Sequence, residues 1–407
     1  MSEDGVGMGR GFRAQLASTG LANLGDGVIS MLAPLVAVSL TTSPALISML
    51  SAATWLPWLL LGLVAGVIVD RVDRRNVQVV ALFARAAIVA AGAVLSATGA
   101  LTMAWLVGLL LAYGVTEVFA DLGATSIVPD LVPASRLTAA NGRVISVQQV
   151  TNAFLGAPLA GALFVLGAAV GFGVSAGLAM LAAMMLAIGL PGNFRRTGER
   201  PMERPSVAFR TGLRFLLSHR VIRPLVITSS LLNLASTGYF AVFVLWVVGP
   251  TSVMRLSEAF YPLLTLGLAV GAVLGSLIAE RVQHRLGEIP TMIGCLFAST
   301  LLLLIPVLWP NPWATAAAFA LIGVTNTMGN VIAQSLRQRL VPGDMLGRIG
   351  GASRTLSFGL MPLGALAGGV LAQAAGLAAT FHAAVALSLL ACGFLTWSLR
   401  RNPLTGQ

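Results

Sequence analysis

Gly66-Val-Ile-Val-Asp70-Arg71-Val72-Asp73-Arg74-Arg75 interrupts two long apolar runs, and a degenerate copy returns as Ser276-Leu-Ile-Ala-Glu280-Arg281-Val282-Gln283-His284-Arg285. A shift of 210 positions brings the acid, the first Arg and the last Arg of the two runs into register. The same shift aligns Leu21-Ala22-Asn23-Leu24 with Leu231-Leu232-Asn233-Leu234, and a shift of 209 aligns Val132-Pro133 with Val341-Pro342. An offset that holds to within one residue at separated places reads as two copies of one unit. Like halves in a membrane chain are the usual framework for rocking one half against the other.

The composition puts the chain in a bilayer. Hydrophobic residues make up 57%, charged residues 10%, and mean hydropathy is +0.89, outside the range of soluble domains. The formal charge of +11 comes from a chain whose basic residues are all Arg. These sit at the ends of apolar runs, which is a topology signal and not a nucleic-acid footprint. Cys295 and Cys392 lie in separate apolar segments, which favours packing over a disulfide or a metal site. Met1 to Arg13 carries no apolar core with a cleavage site, so the first span itself is expected to direct insertion.

With about 20 apolar residues needed per crossing, the chain reads as an all-α membrane protein of twelve helices. The first half, residues 1–190, gives Leu16–Leu40, Ala45–Val69, Val77–Ala97, Leu101–Ala120, Val144–Gly167 and Ala168–Leu190. The second, residues 221–407, gives Val221–Val248, Phe260–Ala279, Pro290–Leu308, Pro312–Ile332, Ile349–Ala372 and Gly376–Leu399. Residues 191–220 form a polar linker with an amphipathic stretch (Val207, Leu213, Phe215, Leu216, Leu217), expected along an anionic leaflet. Alternate connections are rich in Arg, among them Arg71, Arg74 and Arg75, Arg136 and Arg143, Arg281 and Arg285, and Arg337, Arg339 and Arg348. By the positive-inside rule these connections, and both termini, face the cytoplasm of a bacterial plasma membrane.

Six plus six helices with a charged turn after the second of each half resembles the major facilitator superfamily. Gly66, Asp70, Arg71, Asp73, Arg74 and Arg75 carry that superfamily's turn pattern, and the second copy departs from it with Ser276 and Glu280. Asn23-Leu-Gly25-Asp26-Gly27, Glu117 with Asp121, and Pro129 to Pro133 running to Ala140-Asn141-Gly142 resemble the actinobacterial drug-exporter branch related to macrolide-efflux and enterobactin-export proteins. The resemblance implies a cytoplasmic latch worked by Asp70 and Arg71. Glu280, Arg281 and Arg285 would form a weaker counterpart. Anchoring and topology alone are the alternative reading of the same charges. Gly156-Ala157-Pro158-Leu-Ala-Gly161 resembles the superfamily's antiporter motif in the fifth helix, with Ala157 and Ala162 where Gly is usual.

Few ionisable groups lie inside the apolar segments: Asp26, Arg85, Glu117, Asp121, Arg354 and His382. Such groups are costly in hydrocarbon and are functional candidates. Asp26 sits roughly 15 Å into the first helix at 1.5 Å per residue, and it reads either as a proton carrier or as a buried acid bonded to a neighbouring helix. Glu117 and Asp121 share one face of the fourth helix; with Asp26 they are the proton-coupling candidates. Arg85 is expected to pair with Glu117, and Arg354 with Asp70 or Asp121. His382 is expected to be a packing residue.

Uncharged polar residues mark candidate cavity walls: Asn23, Gln149, Asn152, Asn233, Tyr239, and the stripe Asn326, Asn330, Gln334 at every fourth position. Trp55 and Tyr113 add aromatic walls. Pro34, Pro158 and Pro362 are candidate bending points. Neither a metal cluster, nor a nucleophile–base arrangement, nor a phosphate-binding Gly loop is present in the sequence, and no cofactor is expected. The expected function is proton-driven export of amphipathic or lipophilic small molecules by a monomer. An importer, a lipid or solute flippase, or a non-transporting sensor are the alternatives.

Overall fold

The computed structural model describes residues 9–195, 205–341 and 346–401, and the side chains of a few of these, Asp70 and Arg354 among them, lie outside the described set. The latch expected at Asp70 and the partner expected for Arg354 therefore fall outside the described residues. Among the described residues, twelve helices are long and apolar enough to cross a membrane. In the first half they are α1 (Arg10–Leu40), α2 (Pro44–Arg71), α3 (Arg74–Ala97), α4 (Met103–Leu131), α5 (Leu137–Gln149, Val150–Gly156 and Ala157–Leu166 in succession) and α6 (Ala168–Gly189). A linker helix, Pro205–Ser218, follows. The second half has α7 (Ile222–Val247), α8 (Tyr261–Leu286), α9 (Glu288–Leu302 with Ile305–Leu308), α10 (Pro312–Leu340), α11 (Leu346–Gly359 with Met361–Ala375) and α12 (Leu377–Arg401).

Local chemistry sets the ends. Asp73 caps α3, its Oδ1 accepting from the backbone N–H of Arg75 (2.9 Å) and Asn76 (3.2 Å). Asn311 caps α10 in the same way, accepting from Trp313 and Ala314. Gly167 stands between α5 and α6 with φ +115°, a conformation that costs a residue with a Cβ and that ends the helix. Several helices outrun their apolar stretches. α4 continues past Ala120 to Leu131, and α10 past Ile332 to Leu340. A helix satisfies its own backbone wherever it stands, so the limit of hydrocarbon does not stop it.

The prolines act unequally. α1 is unbroken at Pro34. Before Pro158, residues Val150–Gly156 wind as a π-helix; proline has no N–H for the carbonyl four residues back, and the wider turn accommodates that loss. In α11, Leu360 separates two helical pieces, and Pro362 starts the second.

By contacts the chain divides into two compact units: residues 1–36 with 60–201, and residues 37–59 with 202–407. In the first, α3 packs on α4 and α6. α1 meets α5 backbone to backbone, and a Cβ at Gly156 would stand 2.7 Å from Gly27 Cα. In the second, α8 lies against α10, where a Cβ at Gly275 would stand 2.9 Å from Val324 Cα. Small residues permit this approach where no hydrophobic force drives helices together.

Tyr239, Phe240, Phe243, Phe319 and Phe381 form one aromatic core in the second unit. The linker helix differs from expectation. Its Leu216 is buried against Ile222, Val226, Val341 and Ile349, and the helix packs on the first piece of α11, while Val207 and Leu217 stay exposed. Protein covers the centre of the apolar face that the sequence assigns to a lipid surface.

Candidate functional site

In the first unit, α1, α3 and α4 converge on one buried ionic cluster. Arg85 Nη1 stands 2.5 Å from Asp26 Oδ1, with the two side chains 4% and 17% exposed. The Tyr113 hydroxyl donates to the same Oδ1. Arg85 Nε donates to Thr116 Oγ1 (3.3 Å), and the guanidinium carbon lies 4.8 Å from the centre of the Tyr113 ring. Thr116 in turn donates to the Tyr113 carbonyl at 2.6 Å. Every donor around Asp26 is thus fixed by a second contact, an arrangement that holds a charge in place where water is scarce.

Glu117 lines a cavity of about 60 Å³ together with Asn23, Asp26, Gln78, Arg85, Asp121 and Gln148. Its carboxylate carries no side-chain hydrogen bond among the described residues. Tyr113, Glu117 and Asp121 recur every fourth position on α4 and so share one face. The partner of Arg85 is therefore Asp26 on α1, where the sequence points to Glu117 on α4. Depth along a helix is readable from the chain; which neighbour stands at that depth is not. Asn23 lines the same cavity and donates to the Thr19 carbonyl at 2.9 Å. Tyr113 binds the acid instead of lining an open wall. Gln78 and Thr116 join the cluster without a mark in the sequence, although Gln78 lies two turns from Arg85 on α3.

The second unit holds a cavity of about 820 Å³. Asn233 on α7 and the α10 stripe Asn326, Asn330 and Gln334 line it, with Phe240 and Phe358 as aromatic walls. Trp55, a candidate wall in the sequence, lines neither this cavity nor the smaller one and only packs on Phe358, the rings 5.7 Å apart. Ser299, Thr300, Ser353 and Arg337 also line it. The sequence reads Arg337 as a topology charge beyond the tenth span; it lies within α10, on the face that carries Asn326, Asn330 and Gln334. The continuing spacing of three and four is the available signal.

Tyr239 is absent from the lining. It is fully buried in the aromatic core, and its hydroxyl donates to the Leu303 carbonyl at 3.0 Å. That carbonyl is released where α9 breaks, since Val307 N–H bonds to Leu304. Gln149 is exposed, and Asn152 belongs to the π-helix, where its backbone carbonyl faces Gly27; neither lines either of these cavities.

Asp73, Arg74 and Arg75 of the first charged turn bond within their own unit. Asp73 caps α3, and its Oδ2 accepts from Phe194 N–H at 3.2 Å. Arg75 donates to the Ala187 carbonyl at 2.5 Å, and Arg74 pairs with Asp130 at 2.6 Å. A Cβ on Gly66 would meet open space, and Arg71, Glu280, Arg281 and Arg285 are exposed. In the second unit Glu288 at the start of α9 pairs with Arg339 near the end of α10. The link between the third and fourth helices thus recurs between the ninth and tenth, with acid and base exchanged.

Twelve spans in this arrangement define a membrane transporter of the major facilitator fold. The nucleoside transporter NupG superposes with TM-score 0.76 at 12% identity over 96% of this chain and 99% of its own. A bacterial homologue of the iron transporter ferroportin does so with TM-score 0.72 at 20% identity, over 96% of this chain and 98% of its own. The family model described as transmembrane secretion effector matches residues 9–405, and the chain belongs to that family. Among curated relatives, the multidrug efflux pump Tap of Mycobacterium tuberculosis H37Rv is 28% identical over 93% of this chain and 91% of its own length. The enterobactin exporter EntS of Salmonella typhimurium is 28% identical over 37% of this chain and 36% of its own.

Proposed function

We propose that this transporter exports amphipathic small molecules from the cytoplasm in exchange for protons, as a monomer with both termini cytoplasmic. The observation that carries the proton claim is the cluster around Asp26. Counting Asp26, Glu117 and Arg85, two acids share one base in a nearly dry site, so the uptake of a single proton brings the three to neutrality. Asp26 is held by Arg85 and Tyr113, whereas Glu117 has no bond to surrender, which makes Glu117 the carrier and Asp26 its fixed counter-charge. Asp121, one turn along the same face, supplies the entry step. Export is supported by the names of the relatives, an efflux pump and an exporter, and amphipathic cargo by a large cavity of mixed amide, hydroxyl and aromatic lining. Asp70 and Arg71 remain the proposed cytoplasmic latch, with Asp73, Arg74 and Arg75 as the frame that sets the turn.

The test uses proteoliposomes loaded with a pH-sensitive dye and a ligand chosen by thermal-shift screening of antibiotics, siderophores and lipids. Substrate-dependent proton movement is expected in the wild type, and its loss with retained binding in Glu117→Gln. Proton movement indifferent to Glu117→Gln and Asp26→Asn removes the coupling claim. Accumulation in the opposite sense identifies an importer.

A further inference from the structure

We propose that the cavity of the second unit takes an amphipathic organic anion bearing hydroxyl or amide donors, with Arg337 as its counter-charge. This rests on the reading of that cavity as the place where cargo binds. Among the described residues lining the cavity Arg337 is the one charged side chain, and no Asp or Glu stands there. Its Nη1 donates to Ser353 Oγ at 3.0 Å, and no described acid pairs with it. A half-buried guanidinium with one neutral partner keeps most of its five donors for a ligand, and its planar fork suits a carboxylate. A cation entering the same space would meet repulsion and no compensating acid.

The hydroxyls point to the rest of the ligand. Ser229 donates to the Leu225 carbonyl (2.8 Å) and Ser299 to the Leu296 carbonyl (3.0 Å). Both are half-buried at the cavity wall, and each spends its proton on its own helix and leaves lone pairs for the cavity. Lone pairs recognise donors, so O–H or N–H groups on the cargo are favoured. The acid end of the ligand then lies toward Arg337, and its donor-bearing ring lies along α7 and α9.

Purified full-length protein in detergent is titrated with three probes that share one ring and one hydroxyl: a hydroxynaphthoate, its carboxamide, and the matching naphthyl trimethylammonium. The expected order of affinity is carboxylate, then amide, then ammonium. Arg337→Gln is expected to weaken the carboxylate about tenfold, as loss of a hydrogen bond to a charged group does, and to leave the amide unchanged. Arg337→Lys, which keeps the charge but not the fork, falls between them. An ammonium that binds wild type as well as the carboxylate overturns the proposal, as does no carboxylate binding at all. Should Arg337→Gln not fold, the wild-type order and Arg337→Lys still decide. Binding needs no gradient, so failure of proton-coupled export in proteoliposomes with the affinity order intact would refute the transport reading alone.

Discussion

The Arg85 side chain is 4% exposed, and its replacement by Gln leaves Asp26 and Glu117 facing each other without a cation. Removing one partner of a buried pair costs about 3–5 kcal/mol, because the remaining charge is stranded. Asp26→Asn is milder, about 1–3 kcal/mol, since Glu117 lines the same cavity and is there to take the guanidinium. The double variant should recover most of the loss, giving a coupling of at least about 2 kcal/mol between the two positions. The assay is unfolding of the purified protein in mixed micelles across the four variants, repeated at several pH values. Acidification should narrow the gap between Arg85→Gln and wild type, because protonated acids no longer repel. Additive effects within about 0.5 kcal/mol, or an Asp26→Asn variant less stable than Arg85→Gln, would refute the assignment of this pair.

Further outcomes follow from the packing and the ends of the helices. Asp73→Ala should cost about 1 kcal/mol as a lost cap, read as a lower melting temperature, and more if the Phe194 bond carries weight. Exchanging Arg74 and Asp130 (Arg74→Asp with Asp130→Arg) should restore stability lost in Arg74→Asp alone, as the reversed Glu288–Arg339 pair of the second unit implies; no recovery refutes the equivalence. Gly27→Leu forces a side chain onto the Asn152 backbone, and overpacking of about 3 kcal/mol should show as aggregation on size-exclusion chromatography. Burial lowers the pKa of His219, whose Nδ1 accepts from the N–H groups of Val221 and Ile222. The neutral ring is therefore favoured by folding, so its contribution is present above about pH 6.5 and is lost as pH falls below that. A His219→Asn variant should lack that acid-side slope in a melting series.

The twelve spans and the duplication are legible because hydrocarbon imposes length and apolarity on every crossing, and those survive in a bare sequence. The stripe on α10 is legible for a similar reason, since helical spacing is fixed. What the sequence does not contain is the rotation of each helix about its axis. It places Arg85 at the right depth, yet only packing shows that α1 and not α4 supplies its acid. Tyr239 looks like a polar wall until the broken end of α9 supplies a carbonyl for it. Arg337 looks like a topology mark because it stands beside Arg339, though its spacing continues the polar face.

The π-helix of α5 spans Val150–Gly156, and a shift of 209 positions carries it to 359–365, where α11 breaks at Leu360. Each irregularity sits where its helix touches a neighbour backbone to backbone: Gly156 beside Gly27 in one unit, Gly364 beside Leu234 in the other. The two halves thus interrupt a regular α-helix at the same register, each time within reach of a neighbour's backbone, so the irregularity belongs to the repeated unit and not to one half alone.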